Sequence, residues 1–308
     1  MDQQRNEFRV EPAKRSRFSR RGLRLALMLA PVLLVLVVLY LGALLAALAQ
    51  SLGYAPIYGV SEFPTGRYYA ELFGSSTLWK SLWLTLYYAI VPTVLGTVLS
   101  IVLALSLRQH FAGRGVMSFL YKLPLVVPYL VGVALTALLW SNGGLVARSL
   151  FALGFIESTR DFSRLLYTES GIGVMLVYLW KQIPFQTLIL MSVLAGLNPD
   201  IEAAARVSGA SPRQTFWFVT LPRLMPGILA ATLIVFAFNF GSFEVPFLLG
   251  GNLNTLPVMA WRAFDDVDVS RRLFGVSIVV VVSAVSSLLL ILTLLLYRRF
   301  SVSEPDEQ

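Results

Sequence analysis

Long apolar stretches separated by shorter polar ones dominate the pattern of this 308-residue chain. A run of about 18 or more predominantly uncharged residues is long enough to cross a bilayer as a helix. The chain has six candidate runs, which predict an all-α membrane protein with six transmembrane helices. The predicted spans are residues 25–49, 81–107, 123–140, 171–197, 227–249 and 273–297.

Composition agrees with a membrane location for most of the chain. Hydrophobic residues make up 56% and charged residues 14%, whereas soluble domains carry roughly 25% charged residues. The first run contains Ala47-Leu48-Ala49, which resembles a signal-peptide cleavage site. Its apolar length of about 25 residues exceeds the roughly 7–15 that are usual in a signal sequence. We therefore expect a retained anchor.

The interhelical segment, residues 198–222, connects the fourth and fifth predicted spans and carries an ordered set of helix signals. Asn198 can cap a helix whose first position suits Pro199. Gly209 is placed to end that helix. Ser211, three residues before a glutamine, begins a second capping pair. The pattern predicts a short helix, a glycine break and a second helix.

Lys and Arg are distributed unevenly between the two sides of the predicted bundle. With the N-terminus inside, the inner segments hold 16 of them and the outer loops hold 8. Because positive residues concentrate on the cytoplasmic side, we expect both termini and the interhelical segment in the cytoplasm. Residues 1–24 would be a basic tail and residues 300–308 a short tail, flanking one membrane domain at 25–299. This clustering beside the first span also argues against nucleic acid as a partner.

Several classes of chemistry have no residues to support them. The chain contains no cysteine and a single histidine, His110, so thiol catalysis and a His-rich metal site are excluded. A GxxxxGK[ST] phosphate loop, a Gly-x-Ser-x-Gly elbow and an HExxH helix do not occur. We expect that the chain is not an enzyme and binds no metal or cofactor of its own.

The interhelical segment resembles the EAA motif of permease subunits in binding-protein-dependent ABC importers. That motif is Glu-Ala-Ala, followed by a glycine and then by Leu-Pro. The resemblance extends over about residues 81–299, with Val207-Ser208 where the family more often has Ile-Asp. It implies a type I (MetI-like) fold, in which the first short helix is a coupling helix between spans four and five. The matching residues are Glu202, Ala203, Ala204, Gly209, Leu221 and Pro222.

The resemblance also implies a set of partners in a bacterial inner membrane. These are a second permease subunit (a paralogue or an identical copy), two cytoplasmic ATPase subunits that hold ATP and Mg, an extracytoplasmic solute-binding protein, and membrane lipid. The residue types fit a docking helix, because small alanines let a partner backbone approach closely. Glu202 and Arg206 lie four apart and can pair across one turn. The alternative, an amphipathic helix that only lies on the membrane, lacks a large apolar face here.

An ionisable residue inside a span marks a candidate solute path, because burying a charge in a bilayer is costly. Glu244 is the main candidate, with Asn239, Ser242 and Phe243 nearby. Lys181, in the fourth span, is a weaker one because lysine can extend toward an interface. Glu244 could instead lie at the outer interface or pair with a partner subunit.

Features of the last three spans resemble the spermidine/putrescine permease branch. They are Leu165-Leu-Tyr-Thr, Pro184-Phe, and a run from Phe243 that ends in Leu-Leu-Gly-Gly. Pro246, within that run, is expected to interrupt the fifth span and expose carbonyls to the path. Together with Glu244 this implies a small cationic solute such as a polyamine. Importers of iron, thiamine, alkylphosphonate or sugar share most of these features, and a membrane receptor or scaffold that recruits a cytoplasmic partner also stays open.

Overall fold

The computed structural model describes residues 20–252 and 254–301. Most of the predicted basic tail and of the predicted C-terminal tail lies outside the described residues. Strands β1 (Tyr54–Ala55) and β2 (Val60–Ser61) pair antiparallel. The α-helices are α1 Arg20–Leu36, α2 Gly42–Ser51, α3 Arg67–Gly74, α4 Ser76–Arg108, α5 Arg114–Leu120, α6 Leu123–Val126, α7 Tyr129–Trp140, α8 Leu145–Ala152, α9 Ile172–Gly196, α10 Pro199–Val207, α11 Pro212–Thr215, α12 Leu221–Gly241, α13 Glu244–Leu249, α14 Leu256–Phe264 and α15 Val269–Ser301.

The predicted all-α architecture with six spans is confirmed. Within the described residues, six helical stretches are long and apolar enough to cross a membrane. The first, second, fourth and sixth agree closely with the predicted positions. The six stretches are Leu27–Ser51, Ser76–Arg108, Tyr129–Ala152, Ile172–Gly196, Pro212–Gly241 and Arg271–Leu292.

The fifth span starts earlier and ends earlier than the predicted range 227–249. It starts at Pro212, because α11 continues through a π-helical turn, Phe216–Thr220, directly into α12. It ends at Gly241, after which the backbone becomes extended. The prediction failed at the start because arginine and proline punctuate residues 212–226, and these read as a polar interruption.

The predicted interruption of the fifth span at Pro246 is wrong. Pro246 belongs to the helix that follows this span. The break lies at Ser242, whose ψ of 130° is outside the helical range, and α13 then begins at Glu244. Pro246 lies in the first turn of α13, where backbone N–H groups have no partner within the helix. The proline therefore removes no hydrogen bond there.

The third predicted span, residues 123–140, consists of two helices separated by an extended turn. Val127 has ψ 127° and Pro128 has ψ 149°. Proline has no N–H and disfavours helical backbone in the residue before it. The chain therefore leaves α6 at Val126 and resumes as α7 at Tyr129.

Among the described residues, those from Arg20 to Ala47 form one unit and those from Leu48 to Ser301 form another. Within the second unit, α4, α9 and α12 pack against one another, and α15 packs against α12 and α14. One buried cluster joins α4, α9 and α12 near residue 198. Its members are Ala104, Leu190, Leu194, Leu224 and Ile228.

Buried polar side chains also join α4, α9 and α12. The side-chain amides of Gln182 and Asn239 bond each other, and Asn239 Nδ2 donates to Thr93 Oγ1 at 3.1 Å. About one turn along α4, Thr97 Oγ1 donates to Gln186 Oε1 at 2.8 Å. Interhelical hydrogen bonds in membrane bundles contribute about 0.6–2 kcal/mol each. They fix the three helices in register.

Candidate functional site

The interhelical segment forms the helix, break and helix that its sequence predicts. Asn198 Oδ1 accepts a hydrogen bond from the backbone N–H of Asp200 at 2.9 Å and so caps α10. The helix ends where Gly209 adopts a left-handed φ of 91°, which glycine takes without a steric penalty. This turn separates α10 from α11.

A reciprocal capping box then begins α11. The N–H of Ser211 donates to Gln214 Oε1 at 2.8 Å, and the N–H of Gln214 donates to Ser211 Oγ at 3.3 Å. Because the helix runs on from Pro212 to Gly241, α11 is the first part of the fifth span. The second half of the interhelical segment is therefore continuous with that span.

Glu202 anchors α10 to two spanning helices. Its Oε1 accepts hydrogen bonds from Arg108 Nη1 at 2.7 Å and from Thr220 Oγ1 at 2.9 Å. Arg108 is the last residue of α4, and Thr220 immediately precedes α12. The predicted pairing of Glu202 with Arg206 is wrong, since the ion pair is made with Arg108.

The electrostatics of this anchor keep Glu202 ionised. Burial raises the pKa of its carboxyl group, but hydrogen bonds from Arg108 and Thr220 and the charges of Arg108 and Arg206 outweigh it. The net effect lowers the pKa below its ordinary value of 4.5. A carboxylate that stays charged at neutral pH holds both donors through charge-assisted hydrogen bonds.

A polar cavity of about 480 Å³ lies beside this anchor. Arg108, Glu202 and Arg206 line it together with Thr215 and Phe216. Arg206, predicted to act in coupling, therefore lies at the same site as Glu202 but contributes its charge rather than a hydrogen bond.

The exposed part of α10 carries small side chains next to two larger apolar ones. Ala203 and Ala204 are exposed, Val207 is 90% exposed and Ile201 is 37% exposed. The alanines keep the surface low, which allows close approach by another backbone.

Leu221 and Pro222 lie in an unbroken helix. Leu221 packs against the buried cluster that includes Ala104 and Leu194, and Pro222 is exposed in the first turn of α12. Leu221 therefore packs the base of the fifth span against the bundle, and Pro222 does not contribute to that contact.

The predicted solute-path residues separate into different environments. Asn239 is buried in the contacts between α4, α9 and α12. Ser242 and Phe243 form the break between α12 and α13, and Phe243 stacks on Phe247 with ring centroids 4.9 Å apart. Glu244 is exposed. A shared solute path through these side chains stays a prediction.

Lys181 lies inside the fourth span and is 8% exposed. Its Nζ donates to the carbonyl oxygens of Pro124 at 2.6 Å and Val127 at 2.5 Å. It also borders a second cavity of about 240 Å³. One acceptor lies in α6 and the other in the turn between α6 and α7. The reach of this lysine toward an interface stays a prediction.

Sequence reasoning did not identify Arg108 or Thr220. Arg108 is separated from Glu202 by 94 residues, and a motif within one segment carries no information about a distant partner. The available signal was the position of Arg108, a basic residue at the very end of an apolar span. Within the described residues, no group of three His, Asp or Glu side chains is placed to hold a metal ion.

Comparison with known families decides what kind of protein carries this site. Residues 96–302 match the family described as binding-protein-dependent transport system inner membrane component. The chain belongs to this family. It is a multi-pass inner-membrane permease subunit of an ABC importer. The family is one of transporter permeases.

Curated relatives include transporters for different solutes. The permease is 32% identical over 210 residues to "Probable ABC transporter permease protein y4oQ" of Sinorhizobium fredii (strain NBRC 101917 / NGR234), covering 66% of this chain and 67% of that one. It is 33% identical over 143 residues to the spermidine/putrescine transport system permease protein PotB of Escherichia coli (strain K12), covering 46% and 50%. It is also 32% identical over 184 residues to a molybdenum ABC transporter permease of Haloferax volcanii, covering 60% and 63%.

Solved structures show the same fold. A bacterial ABC transporter involved in the import of the acidic polysaccharide alginate superposes with a TM-score of 0.74 at 18% identity, covering 91% of this chain and 96% of that one. At this identity the likeness speaks for the fold alone. The type I architecture predicted from the interhelical segment is confirmed.

Proposed function

We propose that this permease is driven by a cytoplasmic ATPase that docks on α10. The observation that carries the proposal is the two-sidedness of this helix. One side, with Ala203, Ala204 and Val207, is exposed and low. The other side is fixed to α4 and α12 through Glu202. The excess of Lys and Arg on the same side of the bundle supports a cytoplasmic position for α10 and for both termini.

Motion would pass from the ATPase to the spans by two routes. A shift of α10 pulls on α4 through the bond between Glu202 and Arg108. It also moves α12, because the helix is continuous from Pro212 onward. Since α4, α9 and α12 are tied by buried hydrogen bonds, they would tilt together. The chain transmits movement, and the bonds of ATP are broken in the partner, which holds the ATP and Mg.

The remaining partners follow from the family. The complex would contain a second permease subunit, identical or a paralogue, two ATPase subunits and an extracytoplasmic solute-binding protein. A related structure includes a periplasmic protein with bound alginate pentasaccharide, which supports the last of these. The receptor or scaffold alternative would need no ATPase.

For the solute, a small cation such as a polyamine is the first candidate. The exposed carboxylate of Glu244 and the likeness to PotB favour it. Loss of spermidine uptake in Glu244→Gln would support this candidate, and unchanged uptake would make Glu244 structural. The same type of importer could instead carry iron, thiamine, alkylphosphonate or a sugar.

An oxyanion is the second candidate, and two observations favour it. Lys181 places a buried positive charge at a cavity, and a permease named for molybdenum transport is among the relatives. The two candidates differ in the sign of the charge that the solute carries.

Purification of the tagged permease from its native host tests whether an ATPase subunit associates with it. We expect an ATPase subunit to copurify and its ATP hydrolysis to respond to solute-loaded binding protein. Glu202→Ala should abolish that response while membrane insertion is retained, because α10 loses both anchors. Glu157→Ala, an exposed carboxylate remote in sequence from α10, is the matched control. A complex without ATPase, or a full response in Glu202→Ala, would contradict the proposal.

A further inference from the structure

Lys181 carries a charge that its neighbours in the permease do not neutralise. Its ammonium bonds two carbonyl oxygens and lies 5.0 Å from the centroid of the Tyr129 ring. All of these partners are neutral. Among the residues that the structure describes, no Asp or Glu side chain pairs with it. An isolated charge inside a span is costly, so such residues mark functional sites by default.

The two carbonyl bonds have a structural cause. In a continuous helix the carbonyl of Pro124 would accept from the N–H of residue 128, but Pro128 has none. The carbonyl instead accepts from the N–H of Val127 at the long distance of 3.4 Å. Val127 lies between α6 and α7, and its carbonyl has no helical donor. Lys181 supplies hydrogens to both. An ammonium group has three N–H donors, so one remains for another partner.

The cavity of about 240 Å³ lies beside this lysine. Lys181, Gln182 and Tyr129 supply its polar atoms, and Phe185 and Phe238 are among its apolar walls. Tyr129 and Phe238 stack with centroids 4.7 Å apart, which keeps that wall in place. At about 30 Å³ for each water molecule, the volume admits a small ion with part of its hydration shell.

We propose that this cavity binds the anionic group of the transported solute. Of the two solute candidates named above, the position of Lys181 at the cavity therefore points to the second, an oxyanion such as sulfate, phosphate or molybdate. The inference rests on the proposed function, in which this chain forms part of the solute path. Attraction between an oxyanion and Lys181 is strengthened by the apolar surroundings, where the effective dielectric constant is far below that of water. The N–H of the ammonium that Pro124 and Val127 do not use would orient the anion. Gln182 also lines the cavity, but its amide already exchanges hydrogen bonds with Asn239.

The test uses the complete importer, purified with its ATPase and second permease subunits. Binding of sulfate, phosphate and molybdate, and of spermidine in a separate arm, is measured at constant ionic strength. We expect at least one oxyanion to bind, and its affinity to fall roughly tenfold or more in Lys181→Gln, because a charge-assisted hydrogen bond is lost. Lys181→Arg should retain most of the binding. Lys122→Gln, which removes an exposed lysine outside the cavity, should bind like the wild type.

A density map of the wild-type complex with the bound oxyanion tests the proposal without any variant. The anion should lie within hydrogen-bonding distance of Lys181 Nζ. Absence of oxyanion binding, unchanged affinity in Lys181→Gln, or a carboxylate of the second permease seated on Nζ would overturn the inference. Copurification of the ATPase in the same preparation separates the two proposals. If the ATPase copurifies but no oxyanion binds, only the assignment of the solute is overturned. If an oxyanion binds but no ATPase copurifies, only the proposal that an ATPase drives the permease is overturned.

Discussion

At the scale of single residues, Glu202 joins the exposed helix α10 to the membrane bundle. It holds one donor at the end of α4 and another at the start of α12. An isolated surface ion pair is worth little, but this carboxylate is 13% exposed and has two donors. The pair therefore positions one element against another.

Arg108→Gln should weaken the coupling of ATP hydrolysis to solute. The variant loses the charge-assisted bond to Glu202, so we expect solute-stimulated hydrolysis to fall roughly tenfold. Glu202→Gln should fall similarly, and the double variant should be no worse than either one, since both remove the same contact. Arg148→Gln, which changes an exposed arginine, is the control. Additive losses in the double variant would show that Arg108 acts elsewhere.

The response of this contact to pH follows from the lowered pKa of Glu202. A carboxyl group with a lowered pKa contributes fully above its ordinary pKa of 4.5, and the contribution is lost as the pH falls through the lowered value. Between about pH 5.5 and 8 the ratio of coupled hydrolysis in wild type to that in Glu202→Gln should therefore be constant. A ratio that titrates within this window would contradict the ionised anchor.

Local sequence reasoning found the chemistry of Glu202 and missed its partner. Spacing of four residues makes Arg206 a reasonable partner within a helix. Arg108 wins because the packing of α10 brings it within 2.7 Å, and that packing depends on residues far away in sequence. Lys181 shows the same limit, since its acceptors are the carbonyls of Pro124 and Val127, which lie 57 and 54 residues away in sequence.

At the scale of elements, the apolar pattern predicted the existence of every span and the capping residues predicted α10. The start of the fifth span was not predictable from hydropathy. A polar, proline-containing stretch reads as a loop, yet Pro212 occupies a first helical turn and a π-helical turn carries the helix onward. The apolar pattern assigned residues 212–226 to a connection between spans, but these residues form the first part of a spanning helix.

Two glycines with positive φ make a matched test of close packing. Gly171 has φ 65°, and a Cβ there would lie 2.1 Å from the Tyr88 ring. Gly113 has φ 92° and no atom within 4 Å of such a Cβ. Backbone strain alone costs about 1 kcal/mol. We expect Gly113→Ala to lower the thermal unfolding midpoint slightly and Gly171→Ala to lower it far more. Equal shifts would contradict the packing of α9 on α4.

At the scale of the whole molecule, family membership and fold define an importer permease. The proposals for the sign of the charge on its solute rest on Lys181 and Glu244. Composition predicted the membrane location, and the interhelical segment predicted the family. Neither could predict the solute, because a cavity is formed by helices distant in sequence. The buried cation at that cavity became visible only when the broken third span was placed beside α9.

Site-specific crosslinking tests the central claim, docking of an ATPase on α10, most directly. The chain has no cysteine, so Val207→Cys introduces a single reactive thiol at a position that is 90% exposed on the proposed docking side. Val267→Cys is the control, at a residue that is 96% exposed just after α14. A short thiol-to-amine crosslinker should join position 207 to the ATPase subunit in intact membranes, in a yield that changes with ATP, and should leave position 267 unlinked to it. Failure of position 207 to reach the ATPase, or equal linkage from position 267, would contradict the account.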